Sequence, residues 1–187
     1  MSSVQTREKL CGVAQDDGRL LWEQEVPAFR GMNILTPTVI EDRIFTSSYG
    51  GKSLLYQVSH GDGEWRIEPV WTNNREGYMS SPVVVGNHLY LHLRNQRFTC
   101  LNLADGQDAW TSTSFGKYWS LVVNGERILA LDEKGELLLI DADPTEFKLI
   151  SRREVSATDS WAHLAVADDL VLVRSLDALI AYRWRTP

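Results

Sequence analysis

The sequence predicts an all-β chain: a partial β-propeller of about four to five four-stranded antiparallel blades, three complete and the first and last incomplete. Three observations carry this expectation. Helical periodicity is nearly absent, and short apolar runs alternate with polar turns instead. Hairpins of one kind recur about every forty residues, which is the spacing of propeller blades. Seven tryptophans in 187 residues, some at matching repeat positions, need a structural use.

The hairpins come first. Thr38-Val39-Ile40 leads through the turn Glu41-Asp42-Arg43 to Ile44-Phe45-Thr46, and Val83-Val84-Val85 leads through the turn Gly86-Asn87-His88 to Leu89-Tyr90-Leu91. Leu121-Val122-Val123 and Leu164-Ala165-Val166 lead likewise into Ile128-Leu129-Ala130 and Leu170-Val171-Leu172. Aligning Ile40, Val85, Val123 and Val166 gives steps of 45, 38 and 43 residues. Gly86-Asn87 and Asn124-Gly125 supply the positive φ that tight hairpins need.

A second signal marks the outer edge of each unit. Asp17-Gly18 and Asp105-Gly106 are each followed by a tryptophan four residues after the glycine, Trp22 and Trp110. Asp-Gly reads as the turn between third and fourth strands, and the tryptophan as a wedge between neighbouring blades. The second unit is looser, with Asp62-Gly63, Trp65 and Trp71. The fourth has Asp141-Ala142-Asp143-Pro144 and no tryptophan, so Phe147 or Leu149 is expected to fill the space.

The whole chain, 1–187, reads as one propeller segment with blades near 4–26 (partial), 34–73, 79–113, 118–155 and 161–184 (partial). The first blade is expected to lack its inner strand and the last its outer strand. The simplest expectation is the C-terminal part of a longer propeller, its last strand supplied by the missing N-terminal part; the alternative is an arc that closes by pairing with a second copy of the chain, or one that stays open.

Charge and composition narrow the function classes. The net charge is −6 and no Lys/Arg stripe occurs, so neither a nucleic-acid partner nor a polybasic membrane contact is expected. No apolar run approaches the roughly 20 residues of a spanning helix, so direct membrane insertion is not expected. Residues Met1 to Arg7 contain no apolar core of a secretory signal. Cys11 and Cys100 sit at different repeat positions, with no pairing expected and no CxxC for zinc.

The pattern Leu/Val-x-x-x-Asp-Gly-x-x-x-Trp, following these hairpins, resembles the quinoprotein (PQQ-like) repeat. The resemblance covers nearly the whole chain and is specific for fold rather than function. Catalytic members of that family bind pyrroloquinoline quinone with an adjacent Cys-Cys pair and hold calcium through Glu, Asn and Asp. Here both cysteines are single, and no residue carries over as a quinone or calcium ligand. The expectation is therefore no cofactor, no metal and no catalytic residue. The BamB-like, non-catalytic branch implies a bacterial periplasmic or envelope scaffold with a protein or peptide partner. The alternative is the C-terminal portion of a quinone-dependent dehydrogenase, or other propeller enzyme, whose catalytic residues lie outside this chain.

Segments entering each inner strand are the best binding candidates, because in a propeller they gather on one face beside the axis. They supply Arg30, Asn33, Arg75, Tyr78, Lys117, Tyr118, Trp119, Trp161 and His163. Aromatic walls with interspersed cations suit a peptide or small ligand with an anionic group. The competing expectation is that these aromatics plug the axis or pack between blades. His88 and His92 are about 13 Å apart if they share a strand face, too far to share one metal. The Asp-Gly pairs lack the spacing of calcium loops and read as turn formers.

Overall fold

The computed structural model describes residues 1–184. Among them the only helical element is a short 3₁₀ turn, Phe29–Gly31; everything else regular is β. The chain divides into two compact units. One comprises Met1–Ser81 with Leu103–Gln107, the other Pro82–Asn102 with Asp108 onward.

The first unit holds two sheets. The first sheet runs β1 (Ser2–Gln5), β2 (Lys9–Val13), β3 (Leu20–Glu25) in that spatial order. The second runs β4 (Thr38–Ile40), β5 (Arg43–Ser47), β6 (Ser53–Gly61), β7 (Glu64–Asn73). Strands β8 (Val83–Val85), β9 (His88–His92), β10 (Arg97–Asn102) and β11 (Asp108–Ser114) form the third sheet. The fourth is β12 (Trp119–Asn124), β13 (Arg127–Asp132), β14 (Glu136–Asp141), β15 (Lys148–Glu154). The fifth is β16 (Ala165–Ala167), β17 (Leu170–Arg174), β18 (Leu179–Arg183). All five are antiparallel meanders, with chain neighbours paired as short connections dictate.

The predicted hairpins close through two residues. Ile40 pairs Arg43, Val85 pairs His88, Asn124 pairs Arg127 and Ala167 pairs Leu170. The first turn residue has positive φ each time: Glu41 (55°), Gly86 (56°), Gly125 (56°) and Asp168 (51°). His88 thus begins a strand rather than lying in the turn.

Register explains the tryptophans. In four sheets the outer strand carries an irregularity against its neighbour, and one residue pairs just before it. Those pairs are Gly12–Trp22, Leu55–Trp71, Cys100–Trp110 and Leu139–Ser151. Trp22 lies in the core between the first two sheets with Leu10, Ile44, Tyr56 and Val58. Trp71 Nε1–H donates to the Leu103 carbonyl at 3.0 Å. Trp110 packs against the core of the third and fourth sheets, around Tyr90, Phe98, Trp119 and Ile128, and donates to the Asp143 carbonyl at 2.9 Å.

The fourth sheet corrects one expectation. Phe147 does not take the wedge position; it packs edge-on against Trp110 at 5.7 Å and against Phe98 and Phe115. Leu149 is exposed. Register gives the place to Ser151, because the strand irregularity shifts the count by one residue beyond Ile140.

Candidate functional site

An antiparallel meander sends its turns alternately to two ends. The loops between second and third strands therefore share an end with the connections leading to the next sheet. In the first unit three such loops are tied together. Phe29 N–H donates to the Tyr49 carbonyl (2.8 Å) and Ser48 Oγ to the Pro27 carbonyl (2.8 Å). Gly50 N–H donates to Glu76 Oε2 (2.9 Å), and Gly77 N–H to Ser47 Oγ (2.7 Å). Gly77 must be glycine: a Cβ there would lie 2.9 Å from the Ser47 side chain.

These bonds assemble an aromatic cluster. Tyr49 and Tyr78 lie 4.9 Å apart between ring centroids, and Phe29 lies 6.0 Å from Tyr49. The Arg30 guanidinium sits 5.0 Å over the Phe29 ring, a cation–π distance. Phe29 and Arg30 are exposed, while Tyr49 and Tyr78 are half-buried.

The second unit repeats the construction. Gly116 N–H donates to Asp132 Oδ2 (2.6 Å), Lys117 N–H to Glu133 Oε1 (2.8 Å), and Ser160 N–H to the Glu133 carbonyl (2.7 Å). Tyr118 and Trp161 meet edge-to-face at 5.7 Å, and Lys117 Nζ lies 5.3 Å from the Tyr118 ring. Trp161 is 64% exposed, unusual for so large an apolar surface. Each cluster combines an exposed ring, Phe29 or Trp161, with a cation, an arrangement suited to a side chain or peptide carrying a carboxylate.

Some expected site residues are structural instead. Asn33 spends its amide on the carbonyls of Arg7 (3.0 Å) and Val26 (2.9 Å), tying the connection to the first sheet. Trp119 is buried, donates to Asp132 Oδ2 at 3.0 Å and stacks on His92 at 4.8 Å. Trp119 presents no free face: it opens β12 with its ring turned into the core, while Tyr118 lies just before the strand. Arg75 is half-buried, and its backbone receives Ser53 Oγ and donates to Asn73 Oδ1. His163 is exposed.

Phe29 and Tyr49 were not anticipated. Tyr49 lies in Ser48-Tyr49-Gly50-Gly51, a loop between second and third strands, and the Gly-Gly pair was the available sign that this loop folds back tightly.

The buried polar core behind the second cluster is ordered around Asp132, which also accepts from Lys134 N–H at 2.8 Å. His92 beside it is held neutral: burial lowers its pKa from the ordinary 6.5 to about 4, with the nearby Asp132 charge opposing. Among the described residues no three His, Cys, Asp or Glu side chains gather as metal ligands do. Cys11 and Cys100 are both free and buried.

Comparison with known proteins gives a consistent picture. Two proteins named outer membrane protein assembly factor BamB, from Escherichia coli (strain K12) and Salmonella typhimurium (strain LT2), are each 21% identical to this chain. The matches run over 182 and 183 residues, 92% of this chain but only 44% of theirs, so the chain spans less than half their length. The crystal structure of BamB from Moraxella catarrhalis superposes with a TM-score of 0.72 at 16% identity, covering 94% of this chain and 51% of that one. At that identity the likeness shows the fold alone, and the fold is a partial β-propeller. The sequence profile described as outer membrane protein assembly factor BamB matches residues 2–112, more than half of the sequence, and the chain belongs to that family.

Proposed function

We propose that this chain is a non-catalytic β-propeller scaffold that binds protein or peptide partners at the loop ends of its sheets, in the bacterial cell envelope. One observation carries the reading: in each unit, hydrogen-bonded loops hold an exposed aromatic ring in a cluster with a cation, Phe29 with Arg30 beside Tyr49 and Tyr78, and Trp161 with Tyr118 and Lys117. Exposed aromatics backed by a rigid frame are the residues that dominate protein interfaces. The name of the BamB relatives, assembly factors of the outer membrane, supports the envelope and protein partners.

The test places a photo-crosslinking phenylalanine analogue at position 29 or 161 in the native host. A control position, 126, lies in the β12–β13 turn at the opposite end of its sheet. Irradiation should give a discrete adduct with an envelope protein from 29 or 161 and none from 126. Adducts from 126 alone, or none from 29 and 161 at equal expression, would overturn the reading.

A further inference from the structure

The fourth sheet has the register of its neighbours without their tryptophan. At the position where Trp22, Trp71 and Trp110 sit, β15 carries Ser151. Between the fourth and fifth sheets, in the second unit, a cleft of about 280 Å³ opens there. Its apolar lining includes Leu129, Leu139, Val171 and Tyr182. A dry cavity of about 150 Å³ is enough to take up benzene, so this space suits a bicyclic ring.

The cleft is preformed. Leu129 and Val171 are buried in the core joining the two sheets. Tyr182 is fixed by its hydroxyl, which donates to the Val155 carbonyl at 2.8 Å. Its rim is cationic, with Arg152, Arg153 and Arg183 contributing to the lining. Arg183 pairs with Asp169, and Arg152 lies 3.6 Å from Glu136. Arg153 instead covers the Tyr182 ring at 5.7 Å and has no carboxylate partner among the described residues. A guanidinium held over an aromatic wall beside an apolar slot can meet a carboxylate at the slot's mouth while a planar ring fills it.

We propose that the Ser151 cleft is a binding site for a small planar aromatic acid, of the size of an indole bearing a short carboxylate arm. Its volume admits one bicyclic ring and its acid, and Arg152, Arg153, Arg183 and Trp184 complete the lining. The cleft shares no lining residue with the loop clusters.

The experiment is a chemical-shift titration of the isotope-labelled chain with indole-3-acetate, run beside N-acetyl-tryptophanamide as an uncharged peptide-like probe. Indole-3-acetate should give saturable shifts at Leu129, Leu139 and Tyr182, and should bind about tenfold more tightly than the amide. S151W, which supplies the wedge from the chain itself, should abolish the shifts and raise the thermal midpoint by about 2–4 °C. R153Q should weaken indole-3-acetate about tenfold and leave the amide within about twofold. If S151W does not fold, S151L provides the same block with less bulk. Absence of saturable shifts in the folded chain would overturn the proposal. So would undiminished binding in the blocked variant, an amide that binds as well as the acid, or an R153Q effect equal on both probes.

Discussion

The indole N–H of Trp110 donates to the backbone carbonyl of Asp143 at 2.9 Å, 33 residues further along the chain. Trp71 makes the same bond to Leu103 at 3.0 Å across 32 residues. A repeat of this length converts a sequence period into a physical latch. The ring supplies apolar area, and its polar handle fixes where that area sits. Trp22 keeps the packing role but points its indole nitrogen at Met1 Sδ, 2.9 Å away.

The two parts of the latch are separable. Trp71→Ala removes a buried aromatic and should cost about 3–5 kcal/mol. Trp110→Phe keeps most of the ring but leaves the Asp143 carbonyl without its donor, and should cost about 1 kcal/mol from the bond alone. Urea unfolding with each variant measures both. A Trp110→Phe variant as destabilised as Trp71→Ala would mean that the hydrogen bond, not the ring's apolar area, sets most of the energy.

This latch also marks how far the sequence could be read. Asp-Gly followed by tryptophan made Trp22 and Trp110 legible, because a turn residue and a large ring sit at fixed offset. Trp71 was obscured by the long β6–β7 hairpin, whose Asp62-Gly63 turn lies nearer to Trp65. Ser151 was invisible, since its equivalence rests on a one-residue strand irregularity that only pairing reveals. At the loop ends, adjacent Tyr118 and Trp119 looked equally suited to a site. The strand begins only at Trp119, which turns into the core, and the sequence does not say which of the two residues opens it. Tyr49 and Tyr78 are 29 positions apart, and their contact depends on hydrogen bonds among three loops.

The hairpin turns provide a clean test of backbone conformation. Gly86 and Glu41 occupy the same turn position with φ of 56° and 55°. Nothing lies within 4 Å of a Cβ built at Gly86, so sterics between residues play no part. Gly86→Ala should therefore destabilise by about 1 kcal/mol through the left-handed region alone. Glu41→Gly should stabilise by about 0.5–1 kcal/mol for the same reason with opposite sign. Thermal or urea midpoints of the two variants should move in opposite directions; shifts of the same sign would contradict this account.

The two thiols should be silent in the folded protein. Burial pushes Cys100 up to about 11, with its hydrogen bond to Tyr90 opposing, and burial also raises Cys11. At pH 8 a disulfide reagent such as dithionitrobenzoate should label neither in native buffer and both in denaturant. Rapid native labelling of Cys100 would show that the sheet around it opens far more often than its full burial implies.

His92 makes the fold sensitive to mild acid. Its side chain is 1% exposed, its Nε2 has no hydrogen-bond partner among the described residues, and its ring stacks on Trp119. Desolvation lowers its pKa to about 4, against 6.5 in the unfolded chain. Between those values the unfolded state binds the extra proton, so stability rises with pH there. The contribution is intact above pH 6.5 and is lost as the pH falls through 4, about 3 kcal/mol in total. His92→Phe keeps a ring against Trp119 and cannot be protonated. Urea unfolding from pH 7 to 4 should show wild-type stability falling faster than that of the variant by this amount. Parallel pH profiles for the two proteins would place the acid sensitivity elsewhere.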